Sequence, residues 1–394
     1  MDYKVVKYSE IGKIRSGKRL PKGYTVSEEI SDNKYIRVRD INNGSIDSSI
    51  VQYITDEAAE KLERYRVKTR DIIISVVGTI GAIAQIDESL DGAYLTENCD
   101  NLQVDESICL KDYLKYYLLS EYGNKEIIAN TVGSTQPKLP IYGIDNFNIK
   151  LPSIDKQKRI VKLLNSIDEK VKLNNEINNN LSEQIKYIYN DIFIDYADYK
   201  RLDEISNVTI GKTPPRSEQE CFTTNKNDVK WVSISDLGKS GMFIFDTSEK
   251  LTQEAVDKYN VKVIPKDTVI LSFKLTVGRT GFTTEDMTTN EAIAHFDLNN
   301  KELNNYLYCT LTYFNYSDLG STSSIATAIN SKIVKSIKIG IPSDEQLNKF
   351  NNLTSAMFKT IKNNESENIK LSDLRDTLLP KLMNGEIDLD NIEI

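Results

Sequence analysis

The chain has 394 residues, a formal net charge of −8 and an apolar fraction of 39%, which is low for a compact globule. That length accommodates two or three domains, and the acidic balance excludes a simple polyanion binder with basic charge spread over its whole surface. Cys99, Cys109, Cys221 and Cys309 show no paired spacing, so neither a zinc framework nor a disulfide framework is expected, and free thiols fit a reducing cytoplasm.

The first residues, Met1-Asp2-Tyr3-Lys4, do not have the profile of a signal peptide. From Lys4 to Arg39 there are ten Lys/Arg against four Asp/Glu, and Arg15, Lys18, Arg19 and Lys22 form a basic loop. Alternation across Tyr35-Ile36-Arg37-Val38-Arg39-Asp40-Ile41 predicts a half-buried strand with Arg37 and Arg39 on one face, able to reach a groove or phosphates. A second basic run, Lys61 to Arg70, holds five cations and one acid. The apolar stretch Ile72 to Ile86 is too short to span a bilayer, is broken by Gly78 and Gly81, and predicts buried strands. A polar loop follows at Ser134-Thr135-Gln136-Pro137-Lys138, where Gln136 and Lys138 carry groups suited to base edges or phosphates.

The same order of motifs then returns. Gly17-Lys18 and Pro21-Lys22 are answered by Gly211-Lys212 and Pro215-Arg216. Trp231-Val232-Ser233-Ile234-Ser235-Asp236-Leu237 repeats the strand pattern, with Ser233 and Ser235 in place of Arg37 and Arg39. Arg70-Asp71 is matched with Lys266-Asp267, and Val77-Gly78 through Gly81 with Val277-Gly278 through Gly281, a region that carries Lys274 and Arg279. Gly133-Ser134-Thr135 is matched with Gly320-Ser321-Thr322, beside Ser323 and Ser324. Loop insertions account for the drifting offsets between these pairs.

Each globular stretch leads into a helix of about 40 residues, roughly 60 Å long. Leu151-Pro152-Ser153 and Ile341-Pro342-Ser343 open them, each with Ser or the next Asp as a candidate N-cap. Ile160, Ile167, Asn174, Leu181 and Ile188 recur every seven residues, as do Leu164, Val171, Asn178, Ile185 and Ile192. The second block runs Phe350, Met357, Asn364, Leu371, Leu378 and Thr354, Ile361, Asn368, Arg375, Leu382, so both blocks carry an Asn pair at the same rungs. This is a coiled-coil seam whose Asn174, Asn178, Asn364 and Asn368 set register, and Thr354 and Arg375 depart from it. Short connections favour antiparallel pairing, with one globule at each end. The fold class is α+β, two similar mixed α/β globules joined by two long antiparallel helices with a pseudo-two-fold internal repeat. The expected boundaries are 1–152, 153–195, 196–342, 343–383 and an acidic tail over 384–394. Duplex DNA has the matching symmetry.

Catalytic constellations are missing. One histidine, His295, leaves no basis for histidine triads or clusters, and a structural or surface role is expected for it. The only Pro pair, Pro214-Pro215, lacks the Asn and aromatic flanks of an amino-methyltransferase motif. Gly12 to Lys18 has phosphate-loop glycine spacing, but Arg19 stands where a hydroxyl is required, and Ser206 replaces the first glycine of the second copy.

The segment Leu151-Pro-Ser-Ile-Asp-Lys-Gln-Lys-Arg-Ile-Val161, the ending Leu378-Leu-Pro-Lys-Leu-Met-Asn-Gly-Glu-Ile387, and the Arg70-Asp71 and Val77-Gly78 segments resemble the specificity subunits of Type I restriction–modification systems. The resemblance covers essentially the whole chain. It implies a non-catalytic, cytoplasmic DNA reader whose two target-recognition domains each bind half of a split site, with the helices as a ruler. It also implies docking of two modification subunits that use S-adenosylmethionine to methylate adenine, and of ATP- and Mg2+-dependent restriction subunits, with no cofactor on this chain. A coiled-coil adaptor that binds proteins, and a DNA-binding decoy that supports no modification, are the alternatives.

Overall fold

The computed structural model describes residues 3–42, 44–196, 198–319, 329–387 and 389. They divide into two compact units, residues 1–169 with 371–394, and residues 170–370. Each unit contains one globule and part of each long helix, Ile154–Ile192 and Asp344–Asn384.

In the first unit a four-stranded antiparallel sheet has Cys99–Val104 between Gly12–Ser16 and Ile72–Ser75, with Ile83–Gln85 at the edge. Ile72-Ile73-Ile74-Ser75 is buried throughout because both sheet faces are covered. Ile72, Ile74 and Leu102 face Tyr113, Tyr116 and Tyr117 of helix Lys111–Leu119. Ile73 and Ala84 face a smaller core with Ile36 and Leu95. A three-stranded sheet, Gln52–Tyr53, Lys34–Ile36 and Tyr94–Leu95, borders that core, and Lys4–Lys7 pairs with Asn148–Leu151 at the entry to the first long helix. The apolar run Ile72 to Ile86 is therefore a buried hairpin, as expected. Among the described residues no helix is long and apolar enough to cross a membrane.

The second unit repeats this plan. Its main sheet sets Ile293–Leu298 between Ser206–Ile210 and Val269–Ser272, followed by Thr280–Thr283 and a further strand, Phe243–Ile244. Its second sheet contains Val229–Val232 beside Thr288–Thr289, in parallel as in the first unit, and Asp198–Arg201 pairs with Lys338–Ile341.

The long helices pair antiparallel within each unit. In the first, Ile160 and Leu164 near the start of one helix share a core with Leu379, Leu382 and Met383 near the end of the other. In the second, Ile185 and Ile192 share a core with Leu347 and Phe350. Ser343 forms a reciprocal capping box, its Oγ accepting the Gln346 N–H while Gln346 Oε1 accepts the Ser343 N–H. The Asn rungs meet one another: Asn174 Nδ2 donates to Asn368 Oδ1 and to Glu367, and Asn364 Nδ2 donates to Asn178 Oδ1 at 2.9 Å. The seam departures are accommodated separately. Thr354 is fully buried and donates to the Phe350 carbonyl of its own helix, and Arg375 binds Asp168 across the pair at 3.1 Å.

This pairing sets an expectation. Asn364→Leu alone removes the donor to buried Asn178 and is expected to cost about 1–3 kcal/mol. Leu at all four Asn positions is expected to restore or raise stability while relaxing register. Urea midpoints of the two variants check it, and equal midpoints would show that the rungs carry no pairwise term.

His295 is a core residue. Its ring lies between the Thr209 and Thr289 hydroxyls at 3.0 and 2.6 Å, and burial pushes its pKa down to about 3. The unfolded chain takes up a proton near pH 6.5, so stability from neutral His295 is complete above that pH and is lost as pH falls toward 3. His295→Gln is expected to flatten the decline of the urea midpoint between pH 6.5 and 4, whatever its effect at pH 8. An unchanged decline would show that the ring titrates normally.

Candidate nucleic-acid interface

The register of the main sheet gathers the candidate residues at one end of each globule. In the first, Ser16 and Ser75 end their strands beside the start of Cys99–Val104. The Gly17-to-Lys22 segment, the turn 76–82 and the chain around Glu97 therefore leave the sheet together. Val77 forms a bridge with Lys138, which brings the exposed 133–138 loop with Gln136 to the same end. In the second globule, Ile210, Ser272 and Ile293 do likewise for Lys212 and Lys274.

The repeated Gly-Lys pair is the scaffold of this end. Gly17 N–H donates to the Cys99 carbonyl and Lys18 N–H to Leu95, while Gly211 and Lys212 donate to Ile293 and Thr289. A Cβ at Gly17 would lie 2.0 Å from the Thr96 oxygen, and one at Gly211 2.1 Å from Thr289 Oγ1, so only glycine allows this approach. Tyr35 then donates its hydroxyl to the Lys18 carbonyl at 2.8 Å, and Trp231 its indole N–H to the Lys212 carbonyl at 3.2 Å. The near-match to a phosphate loop has this structural cause: the backbone amides of both copies are engaged with strands.

Two readings are corrected. The strand containing Tyr35 ends at Ile36, and Val38–Asp40 is a 3-10 turn, because buried Asp40 accepts the Arg37 N–H at 2.8 Å and turns the chain. Arg37 and Arg39 do not share a strand face. The Arg37 guanidinium binds Asp40, Gln52 and the Ile50 carbonyl, whereas Arg39 is largely exposed and reaches Gln52 at 3.3 Å. Ser233 likewise caps helix Ile234–Lys239 through Asp236, and Ser235 is exposed on that helix. The second correction concerns the turns. Ser75 Oγ accepts the Ala82 N–H and donates to Thr79, and Ser272 Oγ accepts the Arg279 N–H and donates to Thr276. Gly81 is thus the counterpart of Gly278, and Leu275 that of Gly78. Left-handed Arg70 likewise corresponds to left-handed Asp267 rather than to Lys266.

The remaining candidates divide into outward and engaged. Arg15, Lys18 and Lys22 are exposed in the first globule, and Arg19 meets Glu97 at 2.6 Å. In the second, Lys212 donates to the Tyr259 carbonyl, and Arg216 makes a two-bond pair with Glu249 while lying over Phe222 and Trp231. Arg279 donates to the Ile234 carbonyl, leaving Lys274 exposed. Ser323 and Ser324 lie outside the described residues.

The structure also adds residues that the sequence reading had not selected. Arg15 donates to the Arg64 carbonyl at 2.9 Å, joining the two basic runs at a cleft of about 320 Å³ that Tyr65, Arg66 and Asn101 also line. Asn101 is buried, donates to Asp71, and has no partner for its Oδ1 among the described residues. The Lys61-to-Arg70 charge excess marked this region, but its meeting with Arg15 is a long-range contact with no local signature.

The Type I restriction modification DNA specificity domain model matches residues 1–183 and again 195–372. The chain belongs to the Type I specificity family. Specificity subunits are non-catalytic, recognise DNA sequence and work with the other restriction–modification subunits that carry the catalysis. This one is 20% identical to the Type I restriction enzyme HindI specificity subunit of Haemophilus influenzae over 448 aligned positions, covering 92% of this chain and 97% of that one. It is 25% identical to the MjaIX specificity subunit of Methanocaldococcus jannaschii over 318 positions, covering 72% and 70%. Its fold is similar to that of the Type I S subunit from M. genitalium, with a TM-score of 0.59, 16% identity, and 97% and 96% of the two chains covered.

Proposed function

We propose that this specificity subunit reads a split duplex site, each globule recognising one half through its loop-bearing sheet end, while the paired helices fix the unread spacer. The observation that carries this is the twice-built scaffold of Gly-Lys and its aromatic donor, which presents different outward residues in its two copies. A duplicated frame with divergent side chains suits two different half-sites. The long helices are the proposed docking region for two modification subunits, which would bring S-adenosylmethionine and methylate adenine. Restriction subunits would bring ATP and Mg2+, and the assembly would act in the cytoplasm.

Changing the spacer of the cognate duplex by one base pair tests the reading. Binding by the chain with its modification subunits is expected to fall about ten-fold or more, and to weaken steeply with salt. Indifference to spacer length would contradict the ruler, and absence of salt-sensitive duplex binding would favour a protein adaptor.

A further inference from the structure

We propose that Leu275 is an apolar DNA-contacting residue of the second globule, placing its side chain against a base of the half-site read by that unit. The inference rests on the DNA-reading function above and names a residue and a chemistry for it.

Leu275 is 95% exposed and has a φ of +61°, a left-handed conformation that a γ-branched residue rarely adopts. A single exposed leucine is unremarkable on a protein surface, but one held in a disfavoured backbone well at a loop tip is not. The internal repeat supplies a control. The equivalent position in the first globule is Gly78, also left-handed at +83°, where a Cβ would meet nothing within 4 Å. The fold therefore accepts glycine at this tip, and among the described residues of the second globule no packing calls for leucine.

The tip is also firmly supported. Ser272 Oγ donates to the Thr276 carbonyl at 2.6 Å and accepts the Arg279 N–H at 3.1 Å, and the Gly278 N–H closes onto the Ser272 carbonyl at 3.0 Å. Lys274 and Thr276, on either side, are exposed. Lys212, Arg216 and Arg279 are tied to the Tyr259 carbonyl, Glu249 and the Ile234 carbonyl, so among the described residues of the tip itself the outward side chains are Leu275 with Lys274 and Thr276 beside it. A fixed apolar side chain flanked by a cation fits a base methyl or the edge of a base step, with Lys274 on the adjoining phosphate.

The test uses the full chain with its modification subunits and the split duplex found by methylated-adenine mapping. Leu275→Gly, which copies the first globule, and Leu275→Asn, which also tolerates the left-handed well, should leave the melting temperature unchanged or higher. Both should weaken cognate binding about ten-fold and reduce discrimination against base changes in one half-site alone. Wild-type affinity and discrimination in both variants would overturn the proposal, as would a loss confined to assembly with the modification subunits. If the wild-type complex shows no preference for the split duplex, the reading function falls and this inference falls with it.

Discussion

Replacing Asp168 with alanine is expected to destabilise the first unit by about 2–3 kcal/mol, the largest single-residue effect foreseen along the helices. Asp168 accepts the Tyr116 hydroxyl at 2.7 Å, meets Arg375 of the second long helix at 3.1 Å and lies 3.7 Å from the Lys115 ammonium. Lys115 is buried, and burial lowers its pKa while the Asp168 carboxylate opposes that shift. Without the carboxylate, buried Lys115 and the Tyr116 hydroxyl lose their shared acceptor, and Arg375 keeps only Asp376 of its own helix. The expected cost is set below that of a fully buried pair because the Asp168 side chain keeps 31% of its exposure. Arg375→Ala leaves the Tyr116 and Lys115 contacts in place and should cost less, roughly 1 kcal/mol. Denaturant midpoints of both variants check the order, and a larger loss for Arg375→Ala would contradict it.

Reversing charge at the first sheet end should affect DNA rather than folding. Arg15→Glu combined with Lys18→Glu is expected to reduce affinity for the cognate duplex about 100-fold and to make the salt dependence shallower. The scaffold role of Lys18 belongs to its backbone, which donates to Leu95 and accepts from Tyr35, so a new side chain leaves the frame intact. Loss should concentrate on one half-site, and Arg39→Ala should relax discrimination at that same half. Equal loss at both halves would identify these residues as general counter-charge. Arg37→Ala, by contrast, should lower stability, because that guanidinium closes an internal network with Asp40 and Gln52.

The long helices, their seam and the paired Asn rungs were legible in the sequence because heptad spacing is a local, periodic property. The repeat was legible as an order of motifs, and the Gly-Lys pairs marked places where backbone must approach backbone. Side-chain partners were not legible. Whether Arg37 or Arg216 is already paired within the fold depends on Asp40 and Glu249, and only folding brings Glu249 across from Arg216. The Val-Gly pairs align the turns by composition, whereas the Ser75 and Ser272 hydroxyls align them by hydrogen bonding and set Leu275 opposite Gly78. Glu365 was likewise invisible: its carboxylate accepts the Met242 and Phe243 N–H groups and ties the second globule to the second long helix.

The most direct test of the central claim is a genome-wide map of methylated adenine in host cells with and without this chain, with its modification subunit expressed in both. The account predicts one split motif with a fixed spacer that is methylated when the chain is present and unmethylated when it is absent. Identical maps would contradict it.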